Sequence, residues 1–450
     1  MSRHLHLDAS PPIHRGMMRL DRDAFRKTIP LLAARVQPSK TNTVLKAQPM
    51  KRAVIDLPKV RTVVPDPSNP GGDRFLLLNA SNETDLSPET FQFLTHETNG
   101  LVSYTLELTY DYWTADEILH AILPENILEG SPSGFAMTGH LAHMNLNDEY
   151  IPYKHIIGQV ILDKNKHVKT VVNKLDSINT EFRFFEMELL AGEPNYVVEH
   201  HESDCRFTFD FTKVYWNSRL HTEHDRIISQ FSPEDVVVDV FAGVGPFAIP
   251  AAKKGCGVLA NDLNPESAKY LTKNAEDNRV TDFVRAYCED GRDFIRAAVA
   301  RVYDYPFAPY VRPPVSRTQQ DKERRKARKL AAEGVIVDAA STANPLRQRI
   351  SHFVMNLPDS AIQFLGAFRG ILSDPSRNLS EAYQTMPIVH CHCFTRELEF
   401  EAADRDIRNR VEEQLGATLK EYELHLVRSV APNKEMYCIS FRIPHQVAFL

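Results

Sequence analysis

From residue 235 onward, short apolar runs alternate with longer stretches in which apolar positions recur every three or four residues, the pattern of strands separated by amphipathic helices. The runs lie near 236–240, 257–262, 283–288, 352–356, 388–394, 420–427 and 436–442. Such alternation predicts a mostly parallel sheet covered by helices on both faces. Only Ser429-Val430-Ala431-Pro432-Asn433-Lys434 joins the last two runs, too short for a helical crossover, so they should pair antiparallel. The expected fold class is α/β, with seven strands and a terminal hairpin.

Upstream the pattern is less regular. Phe75-Leu76-Leu77-Leu78 starts a strand, 87–98 and 114–123 read as helices capped by Ser87 and Thr114, and 103–112 alternates as a strand. Pro65 to Gly72 reads as punctuation unable to sustain helix or ladder, and Gly130-Ser131-Pro132-Ser133-Gly134 as a flexible linker. Between 135 and 211, short strands mix with one helix near 153–162 and a basic loop at Lys164, Lys166, His167 and Lys169. A helix is expected over 212–231. These boundaries divide the chain into a basic N-terminal arm (1–65), a small α+β domain (66–130), a second α+β domain (135–232) and an α/β domain (233–450) interrupted by an insertion at 303–346.

Composition narrows the class. With 450 residues, 43% of them hydrophobic, the chain can support about three domains of roughly 150 residues. No run approaches the roughly 18 apolar residues of a membrane span and no secretory signal is visible, so a location inside the cell is expected. The cysteines Cys205, Cys256, Cys288, Cys391, Cys393 and Cys438 are scattered and suggest neither a disulfide framework nor a paired Cys-x-x-Cys metal site. Net charge is −6, which argues against a uniformly basic nucleic-acid binder. Locally the balance reverses: residues 1–65 hold thirteen Lys/Arg against four acidic residues, and 317–329 hold seven against Asp321 and Glu323. The first segment also fits an organellar transit sequence, although Asp21 and Asp23 interrupt it.

The chemistry concentrates at strand ends, where open α/β sheets bind ligands. Asp239-Val240-Phe241-Ala242-Gly243-Val244-Gly245-Pro246-Phe247 is a strand stopping on Gly-x-Gly, which lets backbone lie against a ligand, and Asp262 follows at the distance suited to gripping a ribose diol. Asp290-Gly291 closes the third strand, where Asp290 can accept from an exocyclic amine, and Asn356-Leu357-Pro358-Asp359 closes the fourth, where a strand ending in Asn shortly before Pro positions amide and carbonyl groups at the reacting centre. Each acidic residue alone also fits a helix cap. A nucleoside-bearing cofactor is the expectation. Gly243-x-Gly245-x-x-Ala248 with Asp262 also satisfies a nicotinamide-dehydrogenase pattern, although Pro246 removes one amide a pyrophosphate would need. A non-catalytic RNA-binding protein with an enzyme-like shell is the other alternative.

These motifs, with Asn261-Asp262-Leu263-Asn264-Pro265 and the upstream Asn217-Ser218-Arg219-Leu220-His221-Thr222-Glu223-His224, resemble the archaeal and eukaryotic tRNA (guanine-37-N1)-methyltransferases over roughly residue 75 to the C-terminus. The resemblance implies a Rossmann-like class I methyltransferase sheet and a monomer acting in the cytoplasm, with mitochondrial matrix and nuclear pools. It implies methyl transfer from S-adenosyl-L-methionine to N1 of guanosine 37 of a tRNA, in support of reading-frame maintenance and wybutosine synthesis. By position it implies cofactor contacts from His224, Asp262, Leu263, Asp290, Gly291 and Asn356, beside Gly243 and Gly245. Glu223 becomes the general base, its pKa raised by partial burial. Arg183 stabilises charge on O6, and Tyr215, Arg219 and Pro358 surround the target base. No metal is implied. His224 stands where archaeal relatives often carry arginine.

Overall fold

The computed structural model describes residues 7–128, 130, 132–178, 185–311 and 346–450. Arg183, Ser131 and residues 312–345 of the expected insertion lie outside the described residues. The chain forms two compact units, Met1–Leu175 with Met187–Pro194, and Asp176–Glu186 with Asn195–Leu450.

In the first unit, β1 (Lys27–Val36), β2 (Val63–Asp66), β3 (Asn69–Leu77) and β4 (Leu101–Leu108) make an antiparallel sheet in the order β2-β3-β1-β4. The expected basic arm is therefore corrected: its residues Lys27–Val36 form an internal strand of a sheet. Ile29, Leu31 and Ala33 bury into one apolar cluster and Leu32, Ala34 and Val36 into another, so both faces of β1 are covered. Pro30 is tolerated because β3 pairs β1 only from Ala33 onward, leaving its other side unladdered. Earlier residues are also tied in, since Ala9 O accepts from Trp113 Nε1 at 2.7 Å and the His14 amide donates to Ala121 O at 2.8 Å. Cleavage at residue 65 would remove a central strand. The stretch from Pro65 to Gly72, expected to break any ladder, instead forms the β2–β3 hairpin, with an irregular register between Pro65 and Asp66 on the edge strand.

The helices Pro88–Glu97 and Ala115–Ile122 form as expected, Ser87 Oγ accepting from the Thr90 amide and Thr114 with Glu117 closing a capping box. A second sheet follows in the order β5 (Ala136–Thr138), β6 (Leu141–Met144), β7 (Thr170–Ile178) and β8 (Phe185–Gly192). The helix Lys154–Lys164 lies between β6 and β7 in sequence.

The second unit opens with the antiparallel hairpin β9 (Val197–Glu202) and β10 (Cys205–Asp210). Asn274 and Asn278 accept from the Thr208 and Arg206 amides, which fastens this hairpin to the helix Pro265–Asp277. The boundary expected at 232 thus moves to 195. The helix expected over 212–231 is also shorter. Asn217 has an extended backbone and its side chain accepts from the Arg219 amide, so helical structure begins with a 3-10 turn at Ser218–Leu220 and continues as His221–Ser229.

The main sheet comprises β11 (Val236–Asp239), β12 (Gly257–Asn261), β13 (Val284–Tyr287), β14 (His352–Met355), β15 (Ile388–Thr395), β16 (Tyr422–Ala431) and β17 (Lys434–Arg442). Their order is β13-β12-β11-β14-β15-β17-β16, parallel through β15 and antiparallel across β17 and β16. Val236, Val237 and Val238 are all fully buried, as a parallel strand covered on both faces requires. Among the described residues no helix is long and apolar enough to cross a membrane.

Candidate active site

The C-terminal ends of β11, β12, β13 and β14 open into one cavity of about 460 Å³, within the range of small-molecule sites. Its wall includes Gly243, Asp262, Leu263, Asp290, Gly291, Asn356 and Pro358, with Tyr215 and His224 from the segment before β11. Those nine expected site residues are brought together. Gly245 and Arg219 are not among the lining residues, and neither is Glu223. Arg219 is exposed, because the Asn217 turn that binds its amide sits at the surface.

The two glycines do different work. A Cβ on Gly243 would meet nothing within 4 Å, and its φ of +54° is costly for other residues, so this position offers open backbone to a ligand. Gly245 has φ +101°, and a Cβ there would lie 2.6 Å from Ile249 Cγ1 and 2.9 Å from Leu271 Cδ1. Its constraint is packing, contrary to the expectation of ligand approach.

Asp262 is held by local hydrogen bonds. Its Oδ2 accepts from the Gly243 amide at 2.8 Å and its Oδ1 from the Asn264 amide at 2.9 Å. It is not a helix cap, since Asn264 caps the helix Pro265–Asp277. With Ser267 as a third donor, the carboxylate keeps one acceptor site for a further donor. Burial pushes the Asp262 carboxyl above its ordinary range, against the two amides and Ser267, which pull it down. Asp239, fully buried behind it, is raised to about 8 by burial and by Asp262. Asp290 does cap a helix, accepting from the Arg292 amide at 2.7 Å while also lining the cavity. Asn356 keeps its Oδ1 without a hydrogen-bond partner among the described residues.

His224 is 3% exposed, and its Nδ1 lies 2.5 Å from Glu202 Oε1 on β9. Burial pushes the Glu202 carboxyl up, but His200 and His224 outweigh it and hold it at about 2. The histidine at the position where archaeal relatives often carry arginine thus has a carboxylate beside it.

Glu223 corrects an expectation. It is 3% exposed and accepts hydrogen bonds from Arg226 Nε at 2.7 Å, Arg226 Nη2 at 2.8 Å and His392 Nε2 at 2.7 Å. Burial alone would raise its pKa, as expected from sequence, but Arg226 and His392 lower it to about 2. The carboxylate is ionised and engaged.

Several wall residues had no sequence signal. Phe241 and Phe364 meet edge to face at 4.9 Å, and Lys434 Nζ sits 4.1 Å from the Phe394 ring centroid. Phe394 and Lys434 come from segments far from the motifs, and Phe364, in the apolar turn that follows Asp359, has nothing local to mark it. Trp216 lines the cavity and also packs on Phe209 at 4.9 Å. The dinucleotide alternative loses three donors of this loop: the Gly243 amide is committed to Asp262, the Gly245 amide to Ala242 O at 2.9 Å, and Pro246 has none.

Comparison with known proteins gives the family and the fold. The TRM5/TYW2 methyltransferase domain family matches residues 198–306, and the TYW2 N-terminal domain family matches 115–195. A tRNA (guanine(37)-N(1))-methyltransferase of Coprinopsis cinerea is 63% identical over 452 residues, covering 100% of this chain and 99% of that protein. The protein of the same name from Schizosaccharomyces pombe is 45% identical, covering 96% of this chain and 94% of its own. Among solved structures, a complex of aTrm5 and tRNALeu shares the fold with a TM-score of 0.59 at 21% identity, over 92% of this chain and 100% of that one.

Proposed function

This chain belongs to the tRNA (guanine(37)-N1)-methyltransferase family, and from that premise we propose how its residues divide the transfer of a methyl group from S-adenosyl-L-methionine to N1 of guanosine 37. The cavity fits the methyl donor on three counts: open backbone at Gly243, a carboxylate at Asp262 with an acceptor site to spare, and an Asn356 Oδ1 without a partner among the described residues. When bound, the donor supplies an electrophilic methyl on a sulfonium. Asp262 accepts from the ribose hydroxyls, Asp290 from the adenine amine, and His224, Leu263 and Gly291 complete the surround.

Guanine N1 carries a proton at neutral pH and is a poor nucleophile until a base removes it. In this reading Glu223 is that base. The N1–H bond breaks, an O–H bond forms on the carboxylate, and the electron pair stays on the purine. Catalytic hydrogen bonds often form only once substrate is bound, so Glu223 exchanges one of its bonds to Arg226 or His392 for N1–H. Asn356 holds the purine edge in line with the methyl. Arg183, for which only the family resemblance speaks, donates to O6 as negative charge builds there. Tyr215, Arg219 and Pro358 flank the base.

The purine must leave its stack to reach this cavity, at a cost of about a few kcal/mol. The first unit serves tRNA recognition, and the protein acts as a monomer in the cytoplasm, with mitochondrial and nuclear pools. A mitochondrial pool would not arise by cleavage at residue 65, since β1 precedes that point.

The observation that carries this reading is the convergence of Gly243, Asp262, Asp290 and Asn356 on one cavity. Methylation of two tRNA transcripts, with guanosine or adenosine at position 37, tests it by reverse-transcriptase arrest. Arrest at 37 is expected in the first transcript only. Arrest at another nucleotide, or equal methylation of both, contradicts the reading.

A further inference from the structure

Strand register builds a row of side chains behind Glu223. His392 on β15 pairs with Cys438 on β17, and Cys438 pairs with His425 on β16. Residues paired directly across antiparallel strands point to the same face. The helix His221–Ser229 places Glu223 on this row, with Oε1 2.7 Å from His392 Nε2 and Oε2 3.8 Å from His425 Nε2. Arg226, three residues along the same helix, binds both carboxylate oxygens. His392 is 0% exposed and Glu223 3% exposed. A carboxylate buried this deeply without cationic partners takes up a proton and ceases to be a base.

We infer that His392, together with Arg226, is a positioning residue for Glu223: it keeps the carboxylate ionised and fixes its orientation until the target base arrives, a role that rests on reading Glu223 as the base. The residue acts through Glu223.

A metal site is the competing use of this cluster, because Glu223, His392 and Cys438 place ligand atoms within 4.8 Å of one another. Two ligands of a tetrahedral zinc ion with bonds of about 2.0–2.1 Å stand about 3.3 Å apart. The 2.7 Å between His392 Nε2 and Glu223 Oε1 is a hydrogen-bond distance, and the Arg226 guanidinium already fills both carboxylate oxygens. The arrangement therefore favours an ion-pair network.

The charged and titratable groups facing the pair are Arg226 from its own helix, Asp239 from β11, His390 from β15, Cys438 from β17 and His425 from β16. Burial opposes charge on His392, yet Cys438 and Glu223 raise it to about 10. Its contribution to stability is thus complete below the ordinary histidine value near 6.5 and is lost as pH rises through about 10. For Glu223, lowered to about 2, the contribution is present above the ordinary carboxylate range and is lost only as pH falls through that value.

The test uses the full-length protein with tRNA in single turnover. His392→Gln retains a neutral donor but removes the positive charge. Its rate should be about tenfold below wild type at pH 7.5, and the ratio should fall about fivefold further by pH 5.5 as the carboxylate takes up a proton. Affinities for tRNA and methyl donor should stay unchanged. A ratio constant across this range overturns the inference. Because His392→Gln can compromise folding, Glu223→Gln tests the pair from the other side: its melting-temperature deficit against wild type should shrink between pH 7 and pH 10, and a constant deficit overturns the inference. Stoichiometric metal in the purified protein, with chelation abolishing methyl transfer, would also overturn it. The underlying reading fails separately, if Glu223→Gln keeps the wild-type rate.

Discussion

Glu223→Gln is expected to lower the single-turnover rate of methyl transfer by about 10²- to 10⁴-fold, the usual worth of a general base, while tRNA affinity stays within about threefold. Glutamine preserves the shape, and its amide oxygen can still accept from Arg226 Nη2 and His392 Nε2, although its NH2 then faces the Arg226 Nε–H where the second carboxylate oxygen accepted. What it loses is the capacity to take a proton. The effect should therefore appear in the chemical step, measured by rapid quench with enzyme in excess over tRNA. Equal losses in rate and in tRNA affinity would instead indicate that the first turn of the helix His221–Ser229 had been disturbed.

The second large effect concerns the donor rather than the base. Asp262→Ala should weaken S-adenosylmethionine binding by about 100-fold, as expected from losing two charge-assisted hydrogen bonds worth together about 3 kcal/mol. Calorimetry on the tRNA-free protein measures this directly. The substitution also frees the Gly243 and Asn264 amides, which Asp262 accepts from at 2.8 and 2.9 Å. Asp262→Asn separates the two causes, since its amide oxygen can still satisfy one backbone donor. Because burial raises the Asp262 carboxyl, donor affinity in the wild-type protein should fall as pH is lowered through that raised value, where the protonated group accepts less well.

How far the sequence foretold this site depends on which interactions made it. The strand ends were legible because each is a local pattern, an apolar run stopped by Gly-x-Gly, Asp-Leu, Asp-Gly or Asn-Leu-Pro, and the parallel topology carries all four to one edge. The partners of Glu223 were not. His392 is 169 residues away in sequence, and Cys438 and His425 reach it only through the register of three strands, which no periodicity encodes. The pKa of Glu223 was consequently expected on the wrong side of its ordinary value: burial was readable and Arg226 stands three residues along the helix, but the second cation, His392, lay out of reach of any local pattern. β1 was missed for a related reason, since burial on both faces erases the alternation that marks a half-covered strand, and the many basic residues nearby suggested an arm. The helix at 212–231 was overextended because apolar spacing gave no weight to the side chain of Asn217, which competes for the backbone.

The central proposition is that a buried carboxylate, withdrawn among cations in the free protein, meets the ring nitrogen of an extruded purine. A crystal structure of the protein with a non-transferring sulfonium analogue and a guanosine-37 tRNA measures this. A Glu223 oxygen should lie within hydrogen-bond reach of N1, about 2.6–3.2 Å, with at least one of its present bonds to Arg226 or His392 broken. A purine seated against Asn356 while Glu223 keeps all three bonds and stays out of reach of N1 would contradict it.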